Sequence, residues 1–250
     1  MNTKNILSVM GAISLLVSAG SAYALPSLQL GPGSGDWSYD WSDKTWKTSG
    51  SSITLNAYAN CENTASSPCS QNGDYAWDAA GSADQYAYLV VAAVPDVGNV
   101  DAFDVSVFND SMSVNMVASG YGAPPLQDPN SLASHGIFDS YFEIYEFQFN
   151  GGLGTIYDTQ PGGTGMGDGY TEVFDITVNS LLEGVSGVHF DLFTVQGSQF
   201  DPTSTTSDRK LVNAFAPFSH DAEVSVPEPG TLILLGLGLF GLSRVRKHAA

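Results

Sequence analysis

Three acid-rich segments carry oxygen ligands at the short spacing that a calcium-binding loop needs. Calcium takes about six to eight oxygens, and aspartate, asparagine, serine and backbone carbonyls in a turn can supply them. None of the segments has the D-x-D-x-D-G run and distal glutamate of an EF-hand. The alternative interpretation is that these acids form turns and keep the chain soluble. The candidate calcium ligands are Asp36, Asp40, Asp74 and Asp78, with Asp43, Asp84, Asp201 and Asp208 in the same three segments.

Two glutamates, Glu143 and Glu146, stand three residues apart in the segment YFEIYEFQF. A glycoside hydrolase needs two carboxyl groups about 5 to 10 Å apart, one of them with a raised pKa. On a strand, residues three apart point to opposite faces, so this pair cannot act together. Glu143 can instead meet Glu172 or Asp175 from another strand, but any acidic β-protein offers such pairs. We therefore predict no catalytic residue and interpret these acids as solvated strand edges.

Three histidines lie between the two end segments of the chain. The tripeptide SHD (219–221) contains the residue types of a hydrolase triad, but a triad is assembled in space from separated segments. No G-x-S-x-G motif supports that chemistry either. We expect His220 to have a structural role in finishing the last strand. His189 and Asp191 share a strand face, His135 lies in a loop, and nothing in the sequence indicates that the three histidines meet at a metal.

Aromatic residues gather in two stretches of the N-terminal half. Aromatic faces stack on sugar rings, and their large apolar area equally suits the core of a domain. Both interpretations stay open, with Trp37 and Trp41 as the candidate glycan contacts. The first stretch contains Trp37, Tyr39, Trp41 and Trp46, and the second contains Tyr75, Trp77, Tyr86 and Tyr88.

The elements that must position these residues are β-strands. Apolar residues alternate with polar ones in SSITLNAYA (51–59) and in SMSVNMV (111–117), which is the period of a strand with one buried face. The residues that we expect to face inward are Ile53, Leu55 and Ala57 in the first segment and Met112, Val114 and Met116 in the second.

About seven or eight strands, separated by Gly, Pro, Asn and Asp, predict an all-β fold, a β-sandwich of jelly-roll or immunoglobulin-like kind. The body shows no sustained helical periodicity. Long connections at 120–136 and 151–169 are expected at the rim, where such folds usually carry function. Further strand candidates are 86–94, 103–108, 141–149, 171–178 and 187–195, with an aromatic edge strand at 37–41.

The body between the end segments is strongly acidic. Only four basic residues lie between Leu25 and Glu228, against all 26 acidic residues of the chain. Because phosphate contacts need clustered cations, we expect no nucleic acid or anionic lipid as a partner of the body. The length suits one all-β domain. The four basic residues are Lys44, Lys47, Arg209 and Lys210.

The N-terminal segment 1–24 has the three parts of a signal peptide. Lys4 supplies the positive start, ILSVMGAISLLVSAG supplies a short apolar core, and Ala22 and Ala24 supply the small residues that signal peptidase reads. We place the cleavage after Ala24; a retained anchor is the alternative.

Export places the two cysteines of the chain in an oxidising compartment, where disulfides form and persist. Cys61 and Cys69 are predicted to form a disulfide that closes a small loop and stabilises the fold by about 2 to 3 kcal/mol. A two-cysteine zinc site is the weaker alternative, because no histidine lies nearby in sequence to complete it.

The C-terminal segment 226–250 combines three features in a fixed order. Fourteen uncharged residues, Gly230 to Ser243, span about 21 Å as a helix, against a hydrocarbon core of about 30 Å. The prolines before them cannot continue a helix, and the basic cluster after them would lie on the cytoplasmic side of a membrane. The features are the motif Val226, Pro227, Glu228, Pro229 and Gly230, the transmembrane helix, and the basic cluster Arg244, Arg246 and Lys247.

This segment resembles the PEP-CTERM sorting signal in every part. The resemblance implies a Gram-negative envelope protein that is held briefly in the inner membrane. An exosortase then cleaves at or near the Pro-Glu-Pro motif and passes the body to the cell surface or extracellular matrix.

The body also resembles a family, on the segments LPSLQL (25–30), SSITLNAYA (51–59) and APFSHDAE (216–223). It is similar to the choice-of-anchor N proteins. That resemblance implies an extracellular domain that ends in interchangeable anchors, and it brings no activity and no catalytic residues.

Together these features predict a signal peptide (1–24), an extracellular β-sandwich (25–218), a linker (219–225) and a sorting signal (226–250). The predicted function is that of a non-enzymatic exported surface or matrix protein, with calcium or extracellular polysaccharide as ligands. Signal peptidase and an exosortase are the predicted processing partners. The alternative is a secreted hydrolase that acts on extracellular polysaccharide.

Overall fold

The computed structural model describes residues 28–60, 69–70, 75–76, 87–98, 100–109, 112–125, 132–135, 137–149, 154–195, 212–217 and 220–226. This part of the chain contains sixteen strands, one 3-10 helix and no α-helix, so the all-β prediction is confirmed. The elements are β1 (Leu28–Pro32), β2 (Ser38–Asp40), β3 (Thr45–Ser49), β4 (Ser52–Asn60), β5 (Cys69–Ser70), β6 (Tyr75–Ala76), β7 (Ala87–Val94), β8 (Phe103–Asn109), β9 (Met112–Ser113), β10 (Met116–Gly122), η1 (Leu132–His135), β11 (Ser140–Phe147), β12 (Gly154–Tyr157), β13 (Met166–Leu181), β14 (Gly187–Val195), β15 (Val212–Phe215) and β16 (Ala222–Ser225).

The first sheet has six strands in the order β1-β4-β13-β8-β9, with β12 paired to β13. All its pairs are antiparallel. In β4, Ile53, Leu55 and Ala57 are buried and alternate with more exposed residues, as the sequence predicts. Because the side-chain period of a strand is two, one face of this sheet packs on the core and the other meets solvent.

The second sheet has eight strands in the order β10-β11-β7-β14-β16-β3-β2, with β15 paired to β14. Every residue of β7 from Ala87 to Ala93 is buried, so both faces of this sheet are covered at its centre. An uninterrupted apolar run such as AYLVVAAV is the sequence pattern of a strand covered on both faces. The aromatic segment at 37–41 supplies β2, which ends the sheet and confirms the predicted edge strand.

The two sheets share one large hydrophobic core between their inner faces. Leu55 and Phe174 enter it from the six-stranded sheet, and Val91 and Phe190 enter it from the eight-stranded sheet. A smaller core lies on the outer face of the eight-stranded sheet, where η1 covers it. This second core consists of Tyr88, Val90, Ala92, Ala118, Leu132, Phe142, Ile144 and Phe193.

The prediction that SMSVNMV forms one strand with Met112, Val114 and Met116 facing inward is wrong. Met112 belongs to β9 in the six-stranded sheet, whereas Met116 begins β10 in the eight-stranded sheet. Met116 is 50% exposed, and Val114 is only partly buried against the core. The chain crosses from one sheet to the other at 114–115, so the alternation does not follow a single face.

The prediction that residues 219–225 form a linker is also wrong where the structure describes them. Strand β16 lies between β14, its antiparallel neighbour, and β3, its parallel neighbour. His220, Asp221, Ala222 and Val224 are buried. A strand with partners on both sides satisfies its backbone hydrogen bonds inside the sheet, so this segment is the last strand of the body.

Several predictions lie outside the described residues and stay predictions. They are the signal peptide with Ala22 and Ala24, the Cys61 end of the disulfide, and the tail from Pro227 onward. The side chain of Cys69 is not described either. In the described ranges, no helix has the length and apolar character that a membrane crossing requires.

Candidate functional site

The connection between β10 and β11 brings a histidine onto the outer face of the eight-stranded sheet. The helix η1 buries Leu132 in the second core and ends at His135. The backbone N–H of Leu132 donates to the carbonyl of Pro124 at 3.0 Å, which ties this helix to the start of its own connection. The imidazole of His135, with only 7% of its side chain exposed, reaches Asp191. One of the two long connections therefore supplies a buried functional group.

Strand β14 supplies the next two groups from one face. His189 and Asp191 are two residues apart and point to the same side, as the sequence indicates. The residues between and beside them, Val188, Phe190 and Leu192, point into the core between the sheets. His189 and Asp191 consequently face η1 on the outer side of the sheet.

Asp221, the residue before β16, supplies the fourth group. The register of β14 with β16 pairs Phe190 with Ala222, so the next antiparallel position places Asp221 beside Asp191. The carbonyl of Asp221 accepts a hydrogen bond from the backbone N–H of Trp46 at 3.2 Å. This bond holds the residue against β3 and leaves its carboxylate directed at the histidines.

These four residues, His135, His189, Asp191 and Asp221, form what we call the His–Asp cluster. Nδ1 of His135 lies 2.6 Å from Oδ1 of Asp191 and 3.9 Å from Oδ2 of Asp221. Nε2 of His189 lies 3.4 Å from Oδ2 of Asp191 and 3.2 Å from Oδ2 of Asp221. One ligand atom from each of His135, Asp191 and Asp221 lies within 4.8 Å of the other two. His135, Asp191 and Asp221 thus meet at one point, and Nε2 of His189 lies beside both carboxylates.

The His–Asp cluster is almost sealed from water. The exposed fraction is 3% for His189, 0% for Asp191 and 2% for Asp221. Both ring nitrogens of His189, Oδ2 of Asp191 and Oδ1 of Asp221 are buried without a hydrogen-bond partner. A buried polar atom in that state costs about 1 to 3 kcal/mol, so this arrangement calls for a further interaction that compensates it.

The charges of the cluster act strongly on each other. Burial lowers the pKa of His189, but the charges of Asp221 and Asp191 outweigh it and raise that pKa to about 10. Burial also lowers the pKa of His135, but the hydrogen bond to Asp191 opposes burial. The pKa of His135 is therefore raised above its ordinary value. Burial raises the pKa of Asp191, yet the charge of His189 leaves it lowered overall. At Asp221 burial outweighs the same charge, and the pKa is raised.

His220 belongs to a separate buried contact. Its Nε2 lies 2.9 Å from Oδ1 of Asp158, in the second long connection. The carbonyl of the neighbouring Thr159 accepts a hydrogen bond from Nε1 of Trp46 at 3.0 Å, so this connection docks on β3. Of the three histidines in the body, His135 and His189 converge, and His220 pairs elsewhere.

Glu143 lies in a second polar cluster with two tyrosines, which we call the Glu143–tyrosine cluster. The hydroxyl of Tyr141 donates to Oε1 of Glu143 at 3.2 Å, and that of Tyr145 donates to Oε2 at 2.6 Å. Burial raises the pKa of Glu143 against the lowering effect of these hydrogen bonds, and the charge of Asp104 raises it further. Glu143 and Asp104 line the same open groove.

The other acids weighed for catalysis have separate partners. Glu146 points to the face opposite Glu143, as expected from their spacing. Neither Glu172 nor Asp175 hydrogen-bonds to Glu143 in the described structure. Their side-chain donors are Tyr88 for Glu146, Asn109 for Glu172 and Thr54 for Asp175, at 3.0, 2.9 and 3.0 Å.

The described calcium candidates are held by donors of their own chain. Nζ of Lys47 lies 3.4 Å from Oδ2 of Asp40 and also pairs with Asp43. The hydrogen bonds that Ser42 donates lower the pKa of Asp40. Asp36 accepts a hydrogen bond from a threonine through its backbone oxygen. Asp74 and Asp78 lie outside the described residues. An ammonium group, rather than an open oxygen cage, therefore stands beside Asp40.

The two candidate glycan contacts point in different directions. Trp37 packs against the core between the sheets, and its indole Nε1 is buried. Trp41 is 65% exposed, and its ring meets the edge of Tyr39 at a centroid distance of 5.0 Å. In the second aromatic stretch, Tyr88 is buried and stacks on Phe193 at 5.1 Å. Of the two candidates, Trp41 is therefore the one whose side chain is exposed.

The His–Asp cluster shows what sequence reasoning missed. Its signal was a histidine and an aspartate on one face of GVHFDLFTV, a strand that is otherwise apolar. Polar groups inside a strand buried on both faces must find buried partners. Those partners, His135 and Asp221, come from distant segments, and no local pattern links them to β14.

The last described strand leads directly into a recognisable segment. Residues 225–247 match the family model of the PEP-CTERM protein-sorting motif. The match begins at Ser225, the last residue of β16. This motif implies export, a membrane-anchored C-terminal sorting signal and processing by an exosortase.

Two further comparisons bear on the whole chain. No curated protein matches it. Among solved structures, one titled "AvmM Catalyzes Macrocyclization in Alchivemycin A Biosynthesis" is similar over 81% of this chain and 88% of that chain. The sequence identity is 12% and the TM-score is 0.35, and at this level the likeness carries no argument about function.

Proposed function

We propose that this chain is a non-enzymatic exported protein, displayed at the cell surface or in the extracellular matrix after an exosortase removes its tail. The PEP-CTERM motif at 225–247 carries the proposal. Because the motif starts where β16 ends, cleavage near Pro227 to Pro229 would free the body without cutting a strand. The strongly acidic body suits a soluble displayed module. The resemblance of its segments to choice-of-anchor N proteins supports the same role.

Processing of the full chain in a Gram-negative host that carries an exosortase tests this proposal. We expect mass spectrometry of the released protein to find a C-terminus near the Pro-Glu-Pro motif. The combined variant Pro227→Ala, Glu228→Ala, Pro229→Ala should keep its full mass and remain in the inner membrane. Glu183→Gln, which removes an exposed acid of the body, is the matched control. Equal release of the triple variant, or unchanged processing in a host without exosortase, would contradict the proposal.

The ligand that we propose for the displayed body is extracellular polysaccharide, bound through Trp41. An exposed indole with a tyrosine edge beside it offers a flat apolar face to a sugar ring. Retention of the full chain on the polysaccharide of its host should fall in Trp41→Ala while the melting temperature stays unchanged. In Trp37→Ala the melting temperature should fall instead. Equal retention of wild type and Trp41→Ala would remove this ligand from the proposal.

A second candidate function, a secreted polysaccharide hydrolase, has one observation in its favour. Glu143, whose pKa is raised by burial, and Asp104 line one open groove. Release of reducing ends from the host polysaccharide is the measurement that distinguishes the two functions. Hydrolysis that is lost in both Glu143→Gln and Asp104→Asn would establish the enzyme. An inactive wild-type chain would leave the display function alone.

A further inference from the structure

We propose that the His–Asp cluster binds one zinc ion. The proposal goes beyond the display function, which needs no metal. Its ligands are Nδ1 of His135, Nε2 of His189 and one carboxylate oxygen each from Asp191 and Asp221.

The distances from the imidazoles to the carboxylates lie near those of a four-coordinate ion. Tetrahedral zinc with nitrogen and oxygen ligands at about 2.0 to 2.1 Å holds its ligand atoms about 3.3 Å from each other. Nε2 of His189 lies 3.2 and 3.4 Å from the two carboxylates. Nδ1 of His135 lies 3.9 Å from Asp221. The contact of His135 with Asp191 is shorter, 2.6 Å, because these two atoms hydrogen-bond directly.

The unpartnered atoms of the cluster are an independent sign of a ligand. Nε2 of His189 is buried, directed at both carboxylates, and makes no hydrogen bond. Oδ2 of Asp191 is likewise buried without a hydrogen-bond partner. An ion between them would give both atoms a partner at once. Without an ion, Nε2 of His189 and Oδ2 of Asp191 have only their ion-pair contact of 3.4 Å with each other and that of Nε2 with Asp221 at 3.2 Å.

Charge and donor type select the ion. The cluster offers a mixed donor set of two carboxylate groups and two imidazole rings. Imidazole nitrogen suits zinc and similar transition metals, whereas calcium takes about six to eight oxygen ligands. The cluster has two nitrogen donors and little room for water, so zinc fits it and calcium does not.

The burial of the cluster assigns the ion a structural role. Structural zinc sites have four protein ligands, and catalytic sites keep an open position for water or substrate. Here the ligands come from η1, from β14 and from the residue before β16, three segments that are distant in sequence. One ion would join them and hold the last strand of the body in place.

Zinc binding to the full chain tests the proposal. The purified chain is stripped with chelator, dialysed and titrated with ZnCl2 in a calorimeter, and bound metal is counted after desalting. We expect one zinc per chain and a higher melting temperature.

Asp191→Asn and His135→Gln should each weaken zinc binding more than about 100-fold, since groups that only orient a metal ligand already contribute about 10- to 100-fold. His220→Gln, which alters the separate buried histidine, is the matched control and should bind normally. CaCl2 should leave the melting temperature unchanged.

Two results would overturn the zinc site. One is a wild-type chain that holds less than one zinc after desalting. The other is zinc affinity that is unchanged in His135→Gln. If Asp191→Asn does not fold, the absorption spectrum of Co²⁺ bound to the wild type decides instead. Strong visible bands of a four-coordinate ion support the site, and the weak bands of a hydrated ion refute it.

Discussion

Two buried carboxylate clusters of the eight-stranded sheet use the same acid chemistry and shift its pKa in opposite directions. In the His–Asp cluster, Asp191 faces two imidazoles on the outer side of the sheet. In the Glu143–tyrosine cluster, Glu143 faces two hydroxyls on the inner side. Both carboxylates are largely buried. The pKa of Asp191 is lowered, and that of Glu143 is raised.

Desolvation raises a carboxyl pKa in both clusters, and a nearby cation opposes it. The charge of His189 outweighs burial at Asp191 but not at Asp221. Hydroxyl donors lower the pKa of Glu143 too little to offset its burial. A buried acid such as Asp191, which faces imidazoles, can hold a cation. A buried acid such as Glu143, which faces hydroxyls, takes up a proton more readily.

Replacing Asp191 should have the largest effect. In chelator-treated protein, Asp191→Asn removes one of the two counter-charges that face the imidazoles of the cluster. Breaking a buried ion pair from one side costs about 3 to 5 kcal/mol. Urea unfolding should therefore show a drop of that size in the free energy of unfolding, with an unchanged slope. A loss below about 1 kcal/mol would show that the cluster does not depend on this charge.

Replacing His220 should have a smaller effect of the same sign. His220→Gln disturbs the buried contact with Asp158 and leaves the carboxylate of Asp158 partly unsatisfied. We expect a loss of about 1 to 3 kcal/mol, the cost of an unpaired buried polar group. The same urea unfolding series measures it. A loss as large as that of Asp191→Asn would remove the distinction between the His220–Asp158 contact and the His–Asp cluster.

Replacing Glu143 should have the opposite sign at neutral pH. Glu143→Gln makes the same carboxylate-to-amide change as Asp191→Asn, but it removes a buried charge that no cation balances. The folded state binds the proton of Glu143 more tightly than the unfolded state, because its pKa is raised from the ordinary 4.5. The wild type therefore loses stability as the pH rises through this window. The advantage of the variant should be clear at pH 7 and shrink as the pH falls toward 4.5; an advantage that is constant with pH would contradict this explanation.

Replacing Lys47 should have the smallest effect. Its ammonium pairs with Asp40 and Glu223 at 3.4 and 3.9 Å on a partly exposed surface. Exposed ion pairs contribute about 0 to 1 kcal/mol because water and salt screen them. Lys47→Met should change the melting temperature little, and less still at high salt. A loss of stability comparable to that of Asp191→Asn would mean that the exposed ion pairs of Lys47 contribute as much as the buried ion pairs of Asp191.

The fold was predictable where a strand pattern is complete within one segment. The alternation in β4 predicted both the strand and its buried face, and the apolar run of β7 predicted the strand. The crossing between sheets at 114–115 was not predictable, since the alternation of SMSVNMV continues across it. The linker prediction failed at β16 because a four-residue strand, supported by β14 and β3, has too short a pattern to stand out from a loop.

The candidate site was predictable only in part, for a related reason. The shared face of His189 and Asp191 follows from the strand period. The approach of His135 depends on how η1 packs over the second core, and that of Asp221 depends on the pairing of β14 with β16. Both are long-range contacts that no local spacing encodes. The sorting motif was recognisable because all its parts lie in one continuous segment.

The most direct test of the zinc site is X-ray absorption at the zinc edge, on the full chain loaded with one equivalent of zinc. We expect about four nitrogen and oxygen neighbours at about 2.0 to 2.1 Å, with outer-shell scattering from two imidazoles. In His135→Gln the imidazole scattering should fall by about half. Zinc without imidazole scattering, or with a spectrum that His135→Gln does not change, would contradict the His–Asp cluster as its site.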